Sequence, residues 1–260
     1  SELPKADRQS MRASMYKQDL IERFRQQTAS LDAAGLLGAA ATEFRERIAF
    51  ATSFGIEDQV ITHLLWQLEK PVRIFTLDTG RLPQETYDTM ERTCNRYHIA
   101  IEAVVPDTHQ LEELIAQYGP NLFYTSVELR KRCCHVRKVE PLRRKLANFD
   151  AWICGLRRQQ ASTRTGLDRI EWDESNGLVK ISPLADWTNE QLWRFVRDNR
   201  IPYNVLHDRG YPSIGCAPCT RAVKDGEDIR AGRWWWENPA GKECGLHLPT
   251  TGIPRPEKER

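Results

Sequence analysis

The sequence predicts an α/β protein with a mostly parallel sheet between layers of helices. Two observations support this class. Short apolar runs, such as residues 47–55 and 71–80, alternate with amphipathic segments, such as 57–70 and 83–98. The runs end in small or turn-forming residues, where a strand passes into a helix. Strands that alternate with helices pair in parallel, because each crossover helix returns the chain to the end of the sheet where the preceding strand began.

The other predicted elements follow in chain order. Residues 1–47 have helical apolar spacing and are expected to form two or three helices. The remaining strands are 99–106 and 151–155, and the remaining helices are 108–119 and 137–149. Then come a loop with a small hairpin (156–187), a helix (188–199) that starts at the N-cap Thr188, and an irregular segment from residue 200 onward.

The composition is that of an ordinary globular protein. The 260 residues carry a net charge of +2, so no nucleic-acid partner is expected. No apolar run approaches the roughly 18 residues of a membrane helix, so no membrane partner is expected either. Residues 1–14 lack an apolar signal core, which favours a cytoplasmic location. There, the seven cysteines indicate metal binding or catalysis rather than disulfides.

Three predicted strands end in residues suited to an anionic ligand. These ends are SFGIED (53–58), LDTGR (77–81) and GLRRQQASTR (155–164). The carboxyl ends of parallel strands meet at one edge of the sheet, where such folds bind ligands. A small turn at a helix N-terminus, together with arginines, suits phosphate or sulfate. The three ends together favour a nucleotide site.

Four cysteines form two pairs that are far apart in the sequence. Cys133 and Cys134 are adjacent within the basic run KRCCHVRK, and Cys216 and Cys219 share the sequence GCAPC. Four thiolates are the ligand set of a tetrahedral zinc ion or of an iron–sulfur cluster. Two local redox pairs or simple core cysteines are the other interpretations.

The adjacent pair favours a cluster over a single zinc ion. Neighbouring side chains diverge on a helix or a strand, so two consecutive ligands crowd one small ion. A [4Fe–4S] cubane is wider, and its iron corners can be reached by side chains that diverge. With four thiolates it is anionic, so we interpret the positive run around the pair as charge compensation.

Cys244 stands apart from these four, in KECGLH (242–247). A thiol near the cations of this stretch has a lowered pKa and is a better nucleophile, although an incidental surface cysteine is the alternative. The preceding RAGRWWWENP (230–239) is rich in aromatic residues, so we expect this tail to dock on the protein. Cys94 and Cys154 lie in apolar periodic segments and are interpreted as core cysteines.

The cysteine set with GRWWWE and KECGLH resembles the assimilatory adenylyl-sulfate reductases, the iron–sulfur branch of the phosphoadenylyl-sulfate reductase family. SFGIED, LDTGR and GLRRQQ match the nucleotide-facing motifs of that family in the same order, and the resemblance spans residues 45–247. It implies an adenine nucleotide α-hydrolase-like fold of the PP-loop type in one structural domain. Its parts are N-terminal helices (1–47), a nucleotide-binding α/β region (48–200) and a cluster-completing segment with a mobile catalytic tail (201–260).

The resemblance also implies roles for individual residues. The ligands of a [4Fe–4S] cluster would be Cys133, Cys134, Cys216 and Cys219. Lys138 would lie between cluster and substrate, and Cys244 would be the nucleophile with His247 close by. The nucleotide would be bordered by Ser53, Gly55, Asp78 and Arg81. The phosphosulfate would be contacted by Arg164, Arg230 and Arg233, and Arg157 is a further substrate-binding candidate.

The implied reaction is thioredoxin-dependent reduction of adenylyl sulfate to sulfite and AMP, in sulfate assimilation and cysteine biosynthesis. The Cys244 thiolate would attack the sulfate sulfur, AMP would leave, and an S-sulfonate would remain on the enzyme. Thioredoxin, or a glutaredoxin-like reductant, would then attack Cys244 and release sulfite. Convergent cations would stabilise the developing charge. A homo-oligomer is left open.

Three other functions are compatible with parts of the sequence. The nearest is reduction of phosphoadenylyl sulfate, alone or as a second substrate, although family members that use it typically lack the cluster cysteines. An ATP-dependent RNA-thiolating enzyme of related fold needs a loop of the form S-G-G-x-D-S, whereas here Phe54 replaces the first glycine. A zinc-stapled module that contacts nucleic acid is disfavoured by the near-neutral net charge.

Overall fold

The computed structural model describes residues 5–160, 166–238 and 245–247, with side chains from residue 17 onward. The helices are α1 (Lys5–Thr28), α2 (Ala33–Phe44), α3 (Ile56–Gln67), α4 (Gln84–Tyr97), α5 (Thr108–Tyr118), α6 (Val127–Cys134), α7 (Glu140–Leu146) and α8 (Asn189–Asp198). The strands are β1 (Ile48–Thr52), β2 (Arg73–Leu77), β3 (Glu102–Val104), β4 (Ala151–Ile153), β5 (Ile170–Asp173) and β6 (Leu178–Ile181). In these described ranges, no helix has both the length and the apolar character that crossing a membrane requires.

The strands form one sheet in the order β3-β2-β1-β4-β6-β5. Every neighbouring pair is parallel except β5 with β6, which confirms the predicted class. The predicted hairpin is β5 and β6, but it is part of the main sheet, because β6 pairs with β4 and places Ala151 opposite Val179. All four residues of β6 are buried, as expected for an inner strand of a covered sheet.

Helix ends follow local capping signals. The predicted cap of α8 is a complete capping box: Gln191 N donates to Thr188 Oγ1 at 3.1 Å, and Thr188 N donates to Gln191 Oε1 at 2.8 Å. Ser126 caps α6 by accepting from Leu129 N at 3.2 Å. Beyond Asp198 the described chain contains short 3-10 turns rather than long helices, in agreement with the predicted irregular segment.

Apolar side chains cover both faces of the sheet. One face packs against α1, α2, α3 and α8, so the N-terminal helices share the main core, with Phe24 and Leu37 among its buried members. The other face packs against α7 through Leu142 and Leu146. Burial on both faces explains why the inner strands are continuous apolar runs.

The strand order creates a topological switch point between β1 and β4. From β1 the chain moves outward through β2 to β3, and it then returns to β4 on the other side of β1. After β1 and after β4 the chain therefore continues in opposite directions along the sheet. Open α/β sheets bind ligands at such a point, beyond the carboxyl ends of the two strands, and we call this place the switch-point cleft.

Candidate active site

The turn after β1 carries the first predicted ligand motif to the switch-point cleft. Phe54 has a left-handed backbone conformation, with φ of 58°, and its side chain is buried. This conformation is common for glycine but unfavourable for a bulky residue such as phenylalanine. We infer that packing of the buried ring stabilises the turn. Gly55 is the N-cap of α3. The N-terminus of α3, which favours anions, therefore lies at the cleft beside Ser53.

The buried side chain of Asp58 stabilises this turn by hydrogen bonds. Its Oδ2 accepts hydrogen bonds from Ser53 N at 2.6 Å and from Ser53 Oγ at 2.7 Å. The other carboxylate oxygen lies against Gly155, in the loop after β4, where an added methyl group would overlap it. The two loops that border the cleft are therefore packed together through Asp58, and glycine is required at position 155.

Asp58 gives the protein a pH-dependent stability. Burial raises the pKa of its carboxyl group to about 7, and the bonds from Ser53 offset this only in part. An unfolded aspartate titrates near 3.9, so between about pH 5 and pH 7 the folded state binds more protons and its stability falls as pH rises. We expect the unfolding free energy of wild type to fall relative to that of Asp58→Asn over this range, by up to about 1.4 kcal/mol per pH unit. Denaturant titrations at each pH measure this, and parallel curves for the two proteins would contradict it.

Arg157 follows β4 at the same cleft, and its side chain is hydrogen-bonded to other residues of the protein. Its guanidinium is buried and donates to Glu57 Oε1 through Nε, at 2.8 Å. Its Nη1 donates to the Trp187 carbonyl at 3.1 Å. The ion pair ties the loop after β4 to α3, so in this structure Arg157 shapes the cleft. Its predicted contact with substrate stays a prediction.

The loop after β2 brings Asp78 to the edge of the sheet. Asp78 Oδ1 accepts from Gly80 N and from Tyr87 Oη, both at 2.8 Å. Gly80 has φ of +68°, which permits this tight turn. Asp78 is half-buried and follows β2, the strand that pairs with β1. Its predicted position beside a nucleotide stays a prediction.

The same loop connects the cleft to the cysteines. Thr79 Oγ1 lies 3.3 Å from Cys216 Sγ. The Arg81 carbonyl accepts from Ala217 N at 2.8 Å, and the Arg81 guanidinium donates to the Pro120 carbonyl at 2.5 Å. Arg81, predicted beside the nucleotide, thus lies against the cysteine-containing segment in this structure.

The four cysteines of the predicted ligand set line one cavity, which we call the thiol cavity. Cys133 and Cys134 come from the end of α6, and Cys216 and Cys219 come from the short turn at GCAPC. All four are buried, and none of them forms a disulfide. Within the described ranges, no three His, Cys, Asp or Glu side chains converge closely enough to hold a metal ion.

The helix that carries the adjacent cysteines widens directly after them. α6 runs into α7 through a π-helical turn at His135–Val139. Pro141, at the start of α7, lacks an N–H group, and its ring displaces the carbonyl four residues earlier. A wider turn accommodates this, and Arg137 within it is buried and donates to the Thr79 carbonyl at 2.5 Å.

Only part of the predicted positive run reaches the thiols. Arg137 and Lys138 line the thiol cavity. Lys131 and Arg132 are exposed, and Arg132 donates to Tyr118 Oη at 2.9 Å on the outer side of α6. The interpretation that the whole run compensates the thiolates was therefore too broad, because helical geometry turns some of its members to solvent.

The inward-facing cations change the chemistry of the thiols. Burial raises the pKa of Cys216, but Lys138, a hydrogen bond with Thr79 and two nearby arginines together lower it below its ordinary value. Burial and the neighbouring thiols raise the pKa of Cys219 to about 12. Four buried thiols beside inward-facing cations are a donor set suited to an anionic metal–sulfur group.

Arg233 reaches the thiol cavity from the C-terminal segment. It is buried, its Nη1 donates to Ser213 Oγ at 3.3 Å, and its Cζ lies 4.7 Å from the Trp234 ring centroid. A methyl group at Gly215 would overlap its guanidinium. Arg230 is half-buried in the turn just before it.

The short described part of the tail is docked on the protein, as predicted. His247 stacks on Trp152 of β4, with ring centroids 5.5 Å apart and planes at 10°. Leu246 packs into the adjoining apolar layer, and Gly245 lies beside Val139 of the π-helical turn. Cys244, which directly precedes this segment, and Arg164 lie outside the described residues.

A mostly parallel sheet with a switch-point cleft beside an anion-favouring helix end belongs to the class of open α/β proteins that bind nucleotides. The family model described as phosphoadenosine phosphosulfate reductase domain matches residues 47–222. The chain belongs to this phosphoadenosine phosphosulfate reductase family.

Known proteins of this family are similar over most of their length. The adenosine 5'-phosphosulfate reductase of Allochromatium vinosum is 54% identical over 202 residues, covering 78% of this chain and 79% of that protein. The enzyme of the same name from Burkholderia cepacia is 50% identical over 213 residues, covering 82% and 85%. The crystal structure of phosphoadenylyl-sulfate reductase from Candida auris, a phosphate complex, is 29% identical with a TM-score of 0.67 and covers 79% of this chain and 97% of that one.

Three residues of the site escaped the sequence analysis. Thr79 and Asp58 lie inside LDTGR and SFGIED, but their partners are set by the fold. Arg130 lies four residues before Cys134 and also lines the thiol cavity. The i, i+4 spacing on a helix is the signal that could have found it.

Proposed function

We propose that this protein reduces adenylyl sulfate to sulfite and AMP, with electrons from thioredoxin or a glutaredoxin-like reductant. The observation that carries the proposal is that the loop after β2, Asp78–Arg81, lies at the carboxyl end of a nucleotide-binding type of sheet and contacts a cavity lined by four buried thiols. The relatives that share half of their residues with this chain carry the name adenosine 5'-phosphosulfate reductase. A reducing compartment, the cytoplasm, suits cysteines that are not joined in disulfides.

Cys133, Cys134, Cys216 and Cys219 would hold a [4Fe–4S] cluster in the thiol cavity. The donor types fit: four buried thiols line one cavity with Arg137, Lys138 and Arg233, although among the described residues no three of them converge as a single-ion site requires. The cluster would supply a fixed anionic group that keeps these cations in place. The remaining steps are those of the protein's own side chains.

The chemical steps would use Cys244. Its thiolate attacks the sulfate sulfur, the bond from sulfur to the bridging phosphate oxygen breaks, and AMP leaves with that electron pair. The product on the enzyme is a cysteine S-sulfonate. A thioredoxin thiolate then attacks Cys244 Sγ, sulfite leaves with the electron pair of the S–S bond, and the second thioredoxin thiol resolves the mixed disulfide.

The substrate would lie between the switch-point cleft and the thiol cavity. Ser53, Gly55 and the N-terminus of α3 would receive the nucleotide, with Asp78 at the rim. Lys138, Arg233 and Arg230, together with Arg164, would stabilise the charge that develops on the phosphosulfate. His247 would act beside Cys244. Arg81 and Arg157 are retained as substrate-binding proposals, although each is bonded within the protein in this structure.

Phosphoadenylyl sulfate is the competing substrate, since a solved relative is named for it. The test is sulfite release with reduced thioredoxin, measured as kcat/KM for each nucleotide. We expect adenylyl sulfate to be preferred by at least about tenfold. Equal or reversed values would contradict the assignment of substrate, and no sulfite from either nucleotide would contradict the reductase itself.

A further inference from the structure

A fully buried ion pair joins the helix of the adjacent cysteines to the C-terminal segment. Arg130 lies on α6, one helical turn before Cys134. Its Nε and Nη2 donate to Glu237 Oε1 and Oε2, at 2.8 Å and 2.7 Å. The side chains are 0% and 6% exposed. Such a fork-to-fork pair fixes both position and orientation.

The pair closes a strained turn. Trp234 has φ of +42°, which is unfavourable for a bulky residue and persists only where the surroundings hold it. Its amide donates to the Cys219 carbonyl at 3.1 Å, and the Glu237 amide donates to the Trp234 carbonyl at 2.8 Å. Arg130 Cζ lies 4.5 Å from the Trp234 ring centroid, so the guanidinium holds the indole as well as the carboxylate.

This turn is the junction of three parts of the site. It carries Arg233 into the thiol cavity, it hydrogen-bonds the segment of Cys219, and it leads within the chain toward Cys244. The Arg130 guanidinium also contacts the Cys134 thiol. A buried ion pair contributes little to stability, because the cost of desolvation offsets the attraction between the charges. The two hydrogen bonds from Arg130 to the Glu237 carboxylate therefore indicate that this pair sets the position of the turn.

We propose that Arg130 is a positioning residue: its pair with Glu237 fixes the 233–237 turn, and thereby Arg233 and the entry to the tail, against the thiol cavity. The part that concerns the tail rests on the proposed function, since it assumes that Cys244 must be delivered to substrate. The part that concerns the turn does not.

The test is hydrogen exchange of peptides that span 230–238, measured on the protein as purified. Arg130→Met keeps side-chain length and removes the fork, and we expect exchange in this turn to become faster by about tenfold or more. Arg132→Met is the matched control, because Arg132 lies on the same helix and is exposed. It should leave exchange unchanged. Arg130→Lys should restore protection only in part, since an ammonium cannot bind both oxygens.

A second variant keeps the proposal testable where Arg130→Met does not fold. Glu237→Gln preserves shape and removes the charge without altering α6, and it should accelerate exchange in the same peptides. If the 230–238 peptides exchanged as slowly in Glu237→Gln, or in a folded Arg130→Met, as they do in wild type, the positioning role would be overturned. In an active enzyme the sulfite assay should show a lower kcat with both variants. If wild type reduced neither nucleotide and exchange were still faster in the variants, the result would support the role of the Arg130–Glu237 pair in fixing the turn and would reject only the proposed function.

Discussion

The Cys244→Ser variant is expected to lose sulfite formation by at least about a thousandfold. A serine hydroxyl is a far weaker nucleophile at neutral pH than a thiol, and an O-sulfonate could not be released by thiol exchange. Binding should be retained, since the cations and the switch-point cleft are untouched. Steady-state sulfite release with thioredoxin measures the first effect, and the affinity for AMP measures the second.

Cys94→Ser is the matched control for this substitution. Cys94 is a half-buried free thiol on α4, outside the thiol cavity. It should keep wild-type turnover. If Cys244→Ser also retained a substantial rate, the nucleophile would have to be another group, and the covalent pathway through Cys244 would be wrong.

The second large effect is expected at Cys219. Replacing it with alanine removes one of the four thiols of the thiol cavity, so the protein purified without oxygen should lose most of its iron and acid-labile sulfide. Sulfite formation should fall with them. Iron, sulfide and zinc per chain are the measurements.

Cys154→Ala controls for the loss of a buried thiol. Cys154 is as buried as Cys219 but lies at the end of β4, where its Sγ is 3.4 Å from Ser182 Oγ. It should retain iron and sulfide. One zinc per chain and no sulfide in wild type would contradict the cluster, as would full iron and sulfide in Cys219→Ala.

Much of the fold could be predicted because its signals are local. Buried inner strands are apolar runs, and the α8 cap could be identified from Thr188 and Gln191 alone. The loops of the switch-point cleft were also predictable, since parallel strands bring their carboxyl ends to one edge. Pairing of β6 with β4 was not, because the partner of a hairpin strand depends on long-range packing.

The site was less predictable wherever it depended on the direction in which a side chain points. Sequence showed cations around the adjacent cysteines, but the helical geometry of α6 and of the π-helical turn after it leaves Arg132 exposed and Arg137 buried. Arg157 was predicted to meet the substrate, and the structure shows it bonded to Glu57. Spacing alone cannot show which buried carboxylate an arginine will meet.

The most direct measurement is the intact mass of the anaerobic protein after incubation with adenylyl sulfate and no reductant. The proposed mechanism predicts one sulfonate adduct per chain in wild type, none in Cys244→Ser, and its release as sulfite when reduced thioredoxin is added. Phosphoadenylyl sulfate in parallel should give less adduct. No adduct from either nucleotide, in protein with its full iron and sulfide, would contradict the covalent mechanism.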